Sequence, residues 1–379
     1  MRQPDTCCSW SVVVPIHNGS RHLGLFWESL KRAITPHTEV LLVDDGSSED
    51  ILAAMPGAAS HPAVRVFRHR QARGFASAVN RGLTECSGRV IFILNSDLIL
   101  EPRCLQSLAA TLARDPGVGI VGATLSFPQT GGIQHAGIAF SETNHCHVFA
   151  HLPADHRLVS GPRQVQGIAF AACALRRAVV ETVGLLNDGY FNSYEDFDYC
   201  FRVVAAGWTL QVDPGARGQH WERQSGPIRA VLRKDNVARL WRDWGSRIVP
   251  DLGRYVGESW ADASAADPRL LEPEYTLVTL ARNRMAADVL ATIDAGIVPV
   301  RVGERWDFSQ RGSRHTELWL PLVLPVHASR HPRPFLYLVD SFTDLRENHY
   351  WFALRRAVVE HEIVFDTCGN VLPALRMGA

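Results

Sequence analysis

Residues 39–48, Glu39-Val-Leu-Leu-Val-Asp-Asp-Gly-Ser-Ser48, set an apolar run directly against a polar turn. A short unbroken apolar run reads as a strand buried on both faces. The Asp-Asp-Gly-Ser-Ser that closes it turns the chain and can cap a helix. The same grammar recurs on each side. Ser11-Val-Val-Val-Pro-Ile16 closes on His17-Asn18-Gly19, Val64-Arg-Val-Phe67 gives a third strand, and Val90-Ile-Phe-Ile-Leu94 stops at Asn95-Ser96-Asp97. Between the strands the period becomes helical, with Leu23, Phe26, Trp27, Leu30 and Ile34 on one face. Phe75–Thr84 and Pro102–Arg114 read as further helices, the proline sitting early enough for its missing N–H to do no harm. Alternating strands and helices predict an α/β sheet.

Further along come Val118-Gly-Ile-Val-Gly122, a Gly/His-rich stretch to Pro162, and an apolar segment Val165–Leu175. Glu195–Ala206 reads as a helix stopped by Gly207, Trp208–Val212 as a strand closed by the turn Asp213-Pro214-Gly215, and Pro227–Trp244 as a basic amphipathic helix. A chain of 379 residues suits two domains. Gly245–Pro273, rich in Ala, Asp, Gly and Pro, is the expected boundary. That gives a domain over 1–250 and a smaller α/β or α+β domain over 251–379, with apolar runs at Tyr275–Leu280, Ile297–Val302, Phe335–Val339 and Glu362–Phe365.

Lys+Arg and Asp+Glu number 39 each, so the formal charge is zero, whereas a nucleic-acid partner normally demands a basic excess. No window reaches the roughly 18 apolar residues of a membrane span, and the first residues lack the apolar core of a secretory signal. At most a peripheral membrane contact is expected. The eight cysteines include no CxxC pair, which argues for a reducing, cytoplasmic setting and against a disulfide framework or a zinc–thiolate site. The histidines from His135 to His151 offer no Cys/His quartet of zinc spacing and are expected in loops that shape an acceptor side.

In an open α/β sheet the ligand crevice lies at the carboxyl ends of the strands. Three strands here end in groups that suit a sugar nucleotide: Pro15-Ile-His17-Asn18, Asp44-Asp45-Gly46-Ser47 and Asn95-Ser96-Asp97. A strand-end carboxylate can accept a base imide N–H or a ribose hydroxyl. A second, about 50 residues on, can hold Mg²⁺ or Mn²⁺ against a diphosphate, because these ions take oxygen ligands and share them with phosphates. Taken singly, each of these carboxylates is also an ordinary loop or cap residue.

Val12-Val-Val-Pro-Ile-His-Asn18, Leu41-Leu-Val-Asp-Asp-Gly-Ser-Ser48, Arg73-Gly-Phe-Ala-Ser-Ala-Val-Asn-Arg-Gly82 and Ile91-Phe-Ile-Leu-Asn-Ser-Asp97 together resemble the family 2 inverting glycosyltransferases. The resemblance covers roughly residues 10–245 and points to the bacterial rhamnosyltransferase-like branch. It implies a GT-A fold, the Rossmann-like fold of nucleotide-diphospho-sugar transferases. It also implies a nucleotide-sugar donor, a divalent metal (Mn²⁺ or Mg²⁺) and a glycan, lipid-linked, peptide or protein acceptor. By the same resemblance Pro15 and His17 line the nucleotide pocket, Asp45 meets the base and Asp44 or Asp45 the ribose. Gly74 allows close backbone approach, Asn80 lies in the same donor-side helix, and Arg73 or Arg81 balances the diphosphate; plain helix–sheet packing is the rival reading of that segment. Asn95-Ser96-Asp97 stands where the family has Asp-x-Asp, with Asp97 as metal ligand; Asn95 removes one carboxylate, which lowers the expected metal affinity.

Phe191-Asn-Ser-Tyr-Glu-Asp196 resembles the family's Glu-Asp pair at the start of a helix, with Asp196 as general base and Glu195 orienting acceptor or base. An inverting transfer needs the acceptor hydroxyl deprotonated opposite the leaving nucleotide. A carboxylate at a helix start is held by the dipole, which fixes it at some loss of basicity. Asp198 and Arg202, four apart, read as a structural ion pair. His220 fits the family's last metal ligand, and Arg223 and Ser225 fit contacts to the diphosphate. The tail resembles no named family; acceptor recognition, dimerisation through the C-terminal domain, or a packing extension are its expected roles. The rivals to the whole reading are an inactive GT-A scaffold that binds sugar nucleotides, for which Asn95 is the hint, and a nucleotidyltransferase, for which His17-Asn-Gly-Ser-Arg21 is a poor Gly-rich basic loop.

Overall fold

Alternate residues of a strand point to opposite faces, and the central strands of this protein carry unbroken apolar runs (Val12–Val14, Val40–Val43, Ile91–Leu94), so helices cover both sides. The computed structural model describes residues 9–221, 228–309, 333–348, 352 and 361–374. β1 (Trp10–Ile16), β2 (Thr38–Asp44), β3 (Val64–Arg68) and β4 (Val90–Leu94) are parallel. Val12, Val14, Val40, Leu42, Phe92 and Leu94 face one core, with Leu23, Phe26, Trp27 and Leu30 of α1 (Ser20–Ala33). Val13, Leu41, Ile91 and Ile93 face the other, with Val79 and Leu83 of α2 (Phe75–Glu85). Full burial of each such side chain is worth about 1.5–3 kcal/mol, so the two cores together anchor the sheet.

β5 (Leu98–Leu100), α3 (Cys104–Arg114) and β6 (Val118–Ser126) come next, then β7 (Ile133–His135) and the ribbon of β8 (Ile138–Phe140) with β9 (His145–His147). The apolar segment expected as one piece at 165–175 divides into β10 (Arg163–Val165) and β11 (Ala172–Arg176), followed by α4 (Arg177–Val183), α5 (Glu195–Ala205), β12 (Thr209–His220) and α6 (Ile228–Trp244). The main sheet runs β10-β12-β6-β11-β4-β1-β2-β3, with β5 added on β12 and β7 on β6. β11 is antiparallel to both neighbours, which interrupts the parallel run beside β4.

The turn expected at Asp213-Pro214-Gly215 is a register shift inside β12 rather than its end. Proline cannot donate to the ladder, and Asp213 turns its side chain away to accept from Ser107 Oγ at 2.7 Å and Thr111 Oγ1 at 2.9 Å. The strand then resumes against β6 and β5 as far as His220. This continuation brings His220 to its place.

The chain divides into two compact units, Met1–Ile138 with His151–Ile248, and Ala139–Ala150 with Val249–Ala379. The expected linker at 245–273 contains α7 (Leu252–Ala266), in the second unit. Its buried Leu252, Tyr255, Val256, Ser259, Trp260 and Ala263 keep a helical period among small and polar residues that look like a loop. The excursion 139–150 is tied into this unit through Phe140 N–H to Asp251 Oδ1 (2.8 Å), Asn144 Nδ2 to Asp288 Oδ2 (3.1 Å) and Asn370 Nδ2 to Ala150 O (2.7 Å). Around it stand β13 (Glu274–Thr279), α8 (Met285–Asp294), β14 (Arg301–Asp307), β15 (Phe335–Val339), α9 (Phe342–Asn348), β16 (Ile363–Asp366) and β17 (Val371–Pro373). The sheet order is β14-β13-β15-β16-β17, parallel except for β17. Of the apolar run Ile297–Val302, only Arg301 and Val302 lie in a strand, at the start of β14. Among the described residues no helix is long and apolar enough to cross a membrane.

Candidate functional site

The polar ends of β1, β2 and β4 lie on one side of the sheet, as parallel register requires. Asp97 follows β4, and β5 immediately after it pairs with the end of β12 so that Leu98 stands opposite His220. Trp221 N–H then donates to Asp97 O at 3.1 Å. The outcome is a carboxylate and an imidazole 123 positions apart in sequence but adjacent in space: His220 Nε2 lies 3.0 Å from Asp97 Oδ1. Asn95 Nδ2 comes within 3.3 Å of the same nitrogen, and the half-buried Ser96 lies between Asn95 and Asp97 in the chain. Burial pushes the Asp97 pKa up, but the hydrogen bond and charge of His220, with smaller help from its own backbone and His22, outweigh it and hold the carboxyl below its usual range. His22 of α1 stacks on Trp221 with ring centroids 4.9 Å apart.

The second carboxylate group arrives from α5. Asp196 Oδ2 accepts from Phe170 N–H at 3.4 Å, and Ala171 O accepts from Asn95 N–H at 2.7 Å. One bond to the Asp196 carboxylate and one backbone bond therefore join the start of α5, through residues 170 and 171, to the end of β4. Asp196 is half-buried and Glu195 buried. The turn that delivers them is strained: Ser193 and Tyr194 have φ of 96° and 71°, each costing about 1–3 kcal/mol for a residue with a side chain. Asn236 of α6 holds this turn by donating to Ser193 O at 3.0 Å. Asp198 accepts from Arg202 Nε at 3.0 Å and Trp244 Nε1 at 2.9 Å, the structural pairing its spacing predicts.

At the β2 end, Asp45 accepts from Gly74 N–H (2.8 Å), from Arg73 N–H (2.9 Å) and from His69 Nδ1 (2.7 Å). His17 Nδ1 donates to Asp45 O at 2.8 Å, and Pro15 is buried in β1. Asp44 accepts from Ser47 N–H at 2.8 Å and pairs with Arg68 at 2.7 Å. Both aspartates thus spend hydrogen-bonding capacity on building the loops, so the base and ribose contacts expected of them have to share oxygens already in use. Gly74 is where the loop presses on the turn before α5: Phe75 N–H donates to Phe191 O at 3.1 Å, and a Cβ on Gly74 would stand 2.0 Å from that oxygen at φ +91°. Gly74→Ala is therefore expected to lower stability by about 3 kcal/mol, from strain plus overpacking. Equilibrium urea unfolding measures it; a midpoint equal to wild type would contradict the packing.

Some expected residues are engaged elsewhere. Asn80 clamps Leu186, donating from Nδ2 to its O and accepting its N–H at Oδ1, both at 2.8 Å. Arg81 pairs with Glu85 at 3.1 Å and covers the Phe67 ring. The packing reading fits both better than a diphosphate contact. Arg73 reaches Asp45 through its backbone and is exposed. Arg223 and Ser225 lie outside the described residues. His69, Gln134 and Asn236 are additions that spacing did not single out. Their signal is tertiary: each hydrogen-bonds a candidate residue or the turn that positions one.

Among the described residues no three His, Cys, Asp or Glu side chains group around a cation position. Two protein ligands nevertheless fit an Mg²⁺ or Mn²⁺ ion of the kind that keeps waters and shares phosphate oxygens. Asp97 supplies a hard oxygen and His220 an acceptable imidazole nitrogen. Gln134 supplies an outer partner, its Oε1 lying 2.7 Å from His220 Nδ1.

Residues 11–184 match the model of Glycosyl transferase family 2. An uncharacterized protein, y4gI, of Sinorhizobium fredii is 31% identical over 254 residues, 61% of this chain and 27% of that protein. The pre-mycofactocin glycosyltransferase of Mycobacterium tuberculosis is 28% identical over 292 residues, 76% of this chain and 53% of that enzyme. The chain thus spans between about a quarter and a half of the length of these relatives. The crystal structure of GalNAc-T7 with UDP, GalNAc and Mn²⁺ superposes with a TM-score of 0.51 at 17% identity, covering 87% of this chain and 59% of that one, a likeness of fold. By its motifs, its sheet and the family model that matches residues 11–184, this part of the chain is a glycosyl transferase family 2 domain.

Proposed function

We propose that this protein transfers a sugar from a nucleoside diphosphate donor, UDP- or dTDP-linked, to a saccharide, lipid-linked glycan, peptide or protein nucleophile with inversion at the anomeric carbon. The observation that carries the proposal is the 3.0 Å approach of Asp97 and His220, with Asp196 linked to the same strand end through Phe170. Asp97 and His220 would hold a divalent cation, which when bound neutralises charge on the diphosphate as it leaves. Asp196 takes the proton of the acceptor hydroxyl, whose oxygen bonds the anomeric carbon while the bond from that carbon to the diphosphate oxygen breaks. Pro15 and His17 would line the nucleoside end; the support is that His17 bonds Asp45 O and that Asp45 holds the Gly74 loop beside them.

The test is nucleotide release from a panel of UDP- and dTDP-sugars with Mn²⁺, without acceptor. Slow release of UDP or dTDP from one of them is expected, since water can replace the acceptor. Binding of a nucleotide sugar with no release, and no transfer in the presence of candidate acceptors, would instead support an inert sugar-nucleotide scaffold.

A further inference from the structure

Gln134 sits in β7, on the opposite side of β6 from β12, and is 5% exposed. Its amide makes two hydrogen bonds to a single residue. Nε2 donates to His220 O at 3.0 Å, and Oε1 lies 2.7 Å from His220 Nδ1. Only the NH₂ end of an amide can donate to a carbonyl, so the first bond fixes which end is which. Oε1 therefore faces the ring as an acceptor, and Nδ1 must carry the hydrogen. In a neutral imidazole the lone pair is then on Nε2, the nitrogen that faces Asp97 Oδ1 at 3.0 Å and Asn95 at 3.3 Å. A lone pair and a carboxylate oxygen turned towards each other are bridged either by a proton, which makes the Nε2–H···Oδ1 hydrogen bond, or by a cation that takes that proton's place.

We propose that Gln134 is the positioning residue of this centre: it selects the His220 tautomer and ring orientation that offer Nε2, together with Asp97, to a divalent cation. The proposal rests on the cation-dependent reading above and adds a residue outside the strand-end motifs. It also explains how a centre that has Asn95 in place of a carboxylate keeps a directed pair of ligands. An outer partner of this kind, hydrogen-bonded to a ligating histidine, typically changes metal affinity 10–100-fold when removed.

The test is the affinity for Mn²⁺ in saturating UDP, followed by the electron paramagnetic resonance of free Mn²⁺, in the whole chain. Gln134→Met keeps volume and removes both hydrogen bonds; its Mn²⁺ dissociation constant should rise 10–100-fold. Gln134→Glu keeps an acceptor for Nδ1–H, exchanges the donor to His220 O for a second acceptor and adds a negative charge, which supports a ligating histidine as carboxylate partners do; its affinity should stay within about threefold of wild type. A purely structural role would predict the reverse, with Gln134→Glu as weak as Gln134→Met, and that result overturns the assignment. So does wild-type affinity in Gln134→Met. Should Gln134→Met fail to fold, a tenfold loss in Gln134→Glu alone is enough to reject it. Asp97→Ala separates the two levels. Loss of Mn²⁺ binding there beside an unchanged Gln134→Met defeats this assignment only, whereas unchanged binding in Asp97→Ala defeats the cation site and the assignment with it.

Discussion

Asp97→Ala is expected to reduce sugar transfer about 10³-fold or more and to abolish the dependence of nucleotide binding on Mn²⁺. A cation opposite a departing diphosphate supplies several kcal/mol of charge stabilisation, and each 1.36 kcal/mol is a factor of ten in rate. Asp97 is the sole carboxylate of Asn95-Ser96-Asp97, so no neighbour in the motif replaces it. The alanine also removes the partner of His220, whose imidazole is left with Asn95 and Gln134. The fold should persist, because the β4 and β5 ladders on either side are made by backbone groups. Calorimetric titration of UDP with and without Mn²⁺, beside a thermal melt, checks both halves. Equal UDP affinity with and without Mn²⁺ in the wild-type protein would defeat the cation's role before the variant is made.

The parts of this site that sequence made legible are those whose local chemistry is unambiguous. An apolar run that stops in Asp-Asp-Gly or Asn-Ser-Asp must surface there, and parallel pairing then brings all such ends to one side. Asp45 and Asp97 were readable for that reason, though Asp45 proves to hold the Arg73–Gly74 loop with most of its carboxylate. His220 was placed only through the family resemblance. The strand that carries it contains Pro214 and Gly215, which in isolation look like its end, and only the bulge against β6 shows that it continues.

Residues whose role depends on what lies across the sheet were not legible. Gln134 is a polar residue in a three-residue strand, and nothing in Gly132-Ile-Gln-His135 announces that His220 lies beyond β6. Asn236 is one polar position on a helix full of them, yet it secures the turn before Glu195. The helix at 252–266 was hidden for another reason. Its buried face uses Ser259 and Ala263 besides Tyr255 and Trp260, so its composition resembles a linker while its period is helical.

Asp196→Asn should lower turnover about 10³-fold while leaving donor affinity within twofold of wild type, since a positioned general base contributes about 10²–10⁴. Asparagine has the shape of aspartate and keeps one oxygen able to accept Phe170 N–H, so the junction between α5 and the β4 end is retained. What it loses is the capacity to accept a proton. A group needed only in the transition state lowers kcat and kcat/KM together and spares ground-state binding. The neighbouring carboxylates supply the contrast. Asp198 is committed to Arg202 and Trp244, so Asp198→Asn should cost stability more than rate. Glu195 is buried at the same helix start, and if it were the base, Asp196→Asn would turn over normally while Glu195→Gln would not. Steady-state transfer rates for the three variants, each beside a donor titration, separate these cases. Full activity in Asp196→Asn rejects it as the group that receives the acceptor proton.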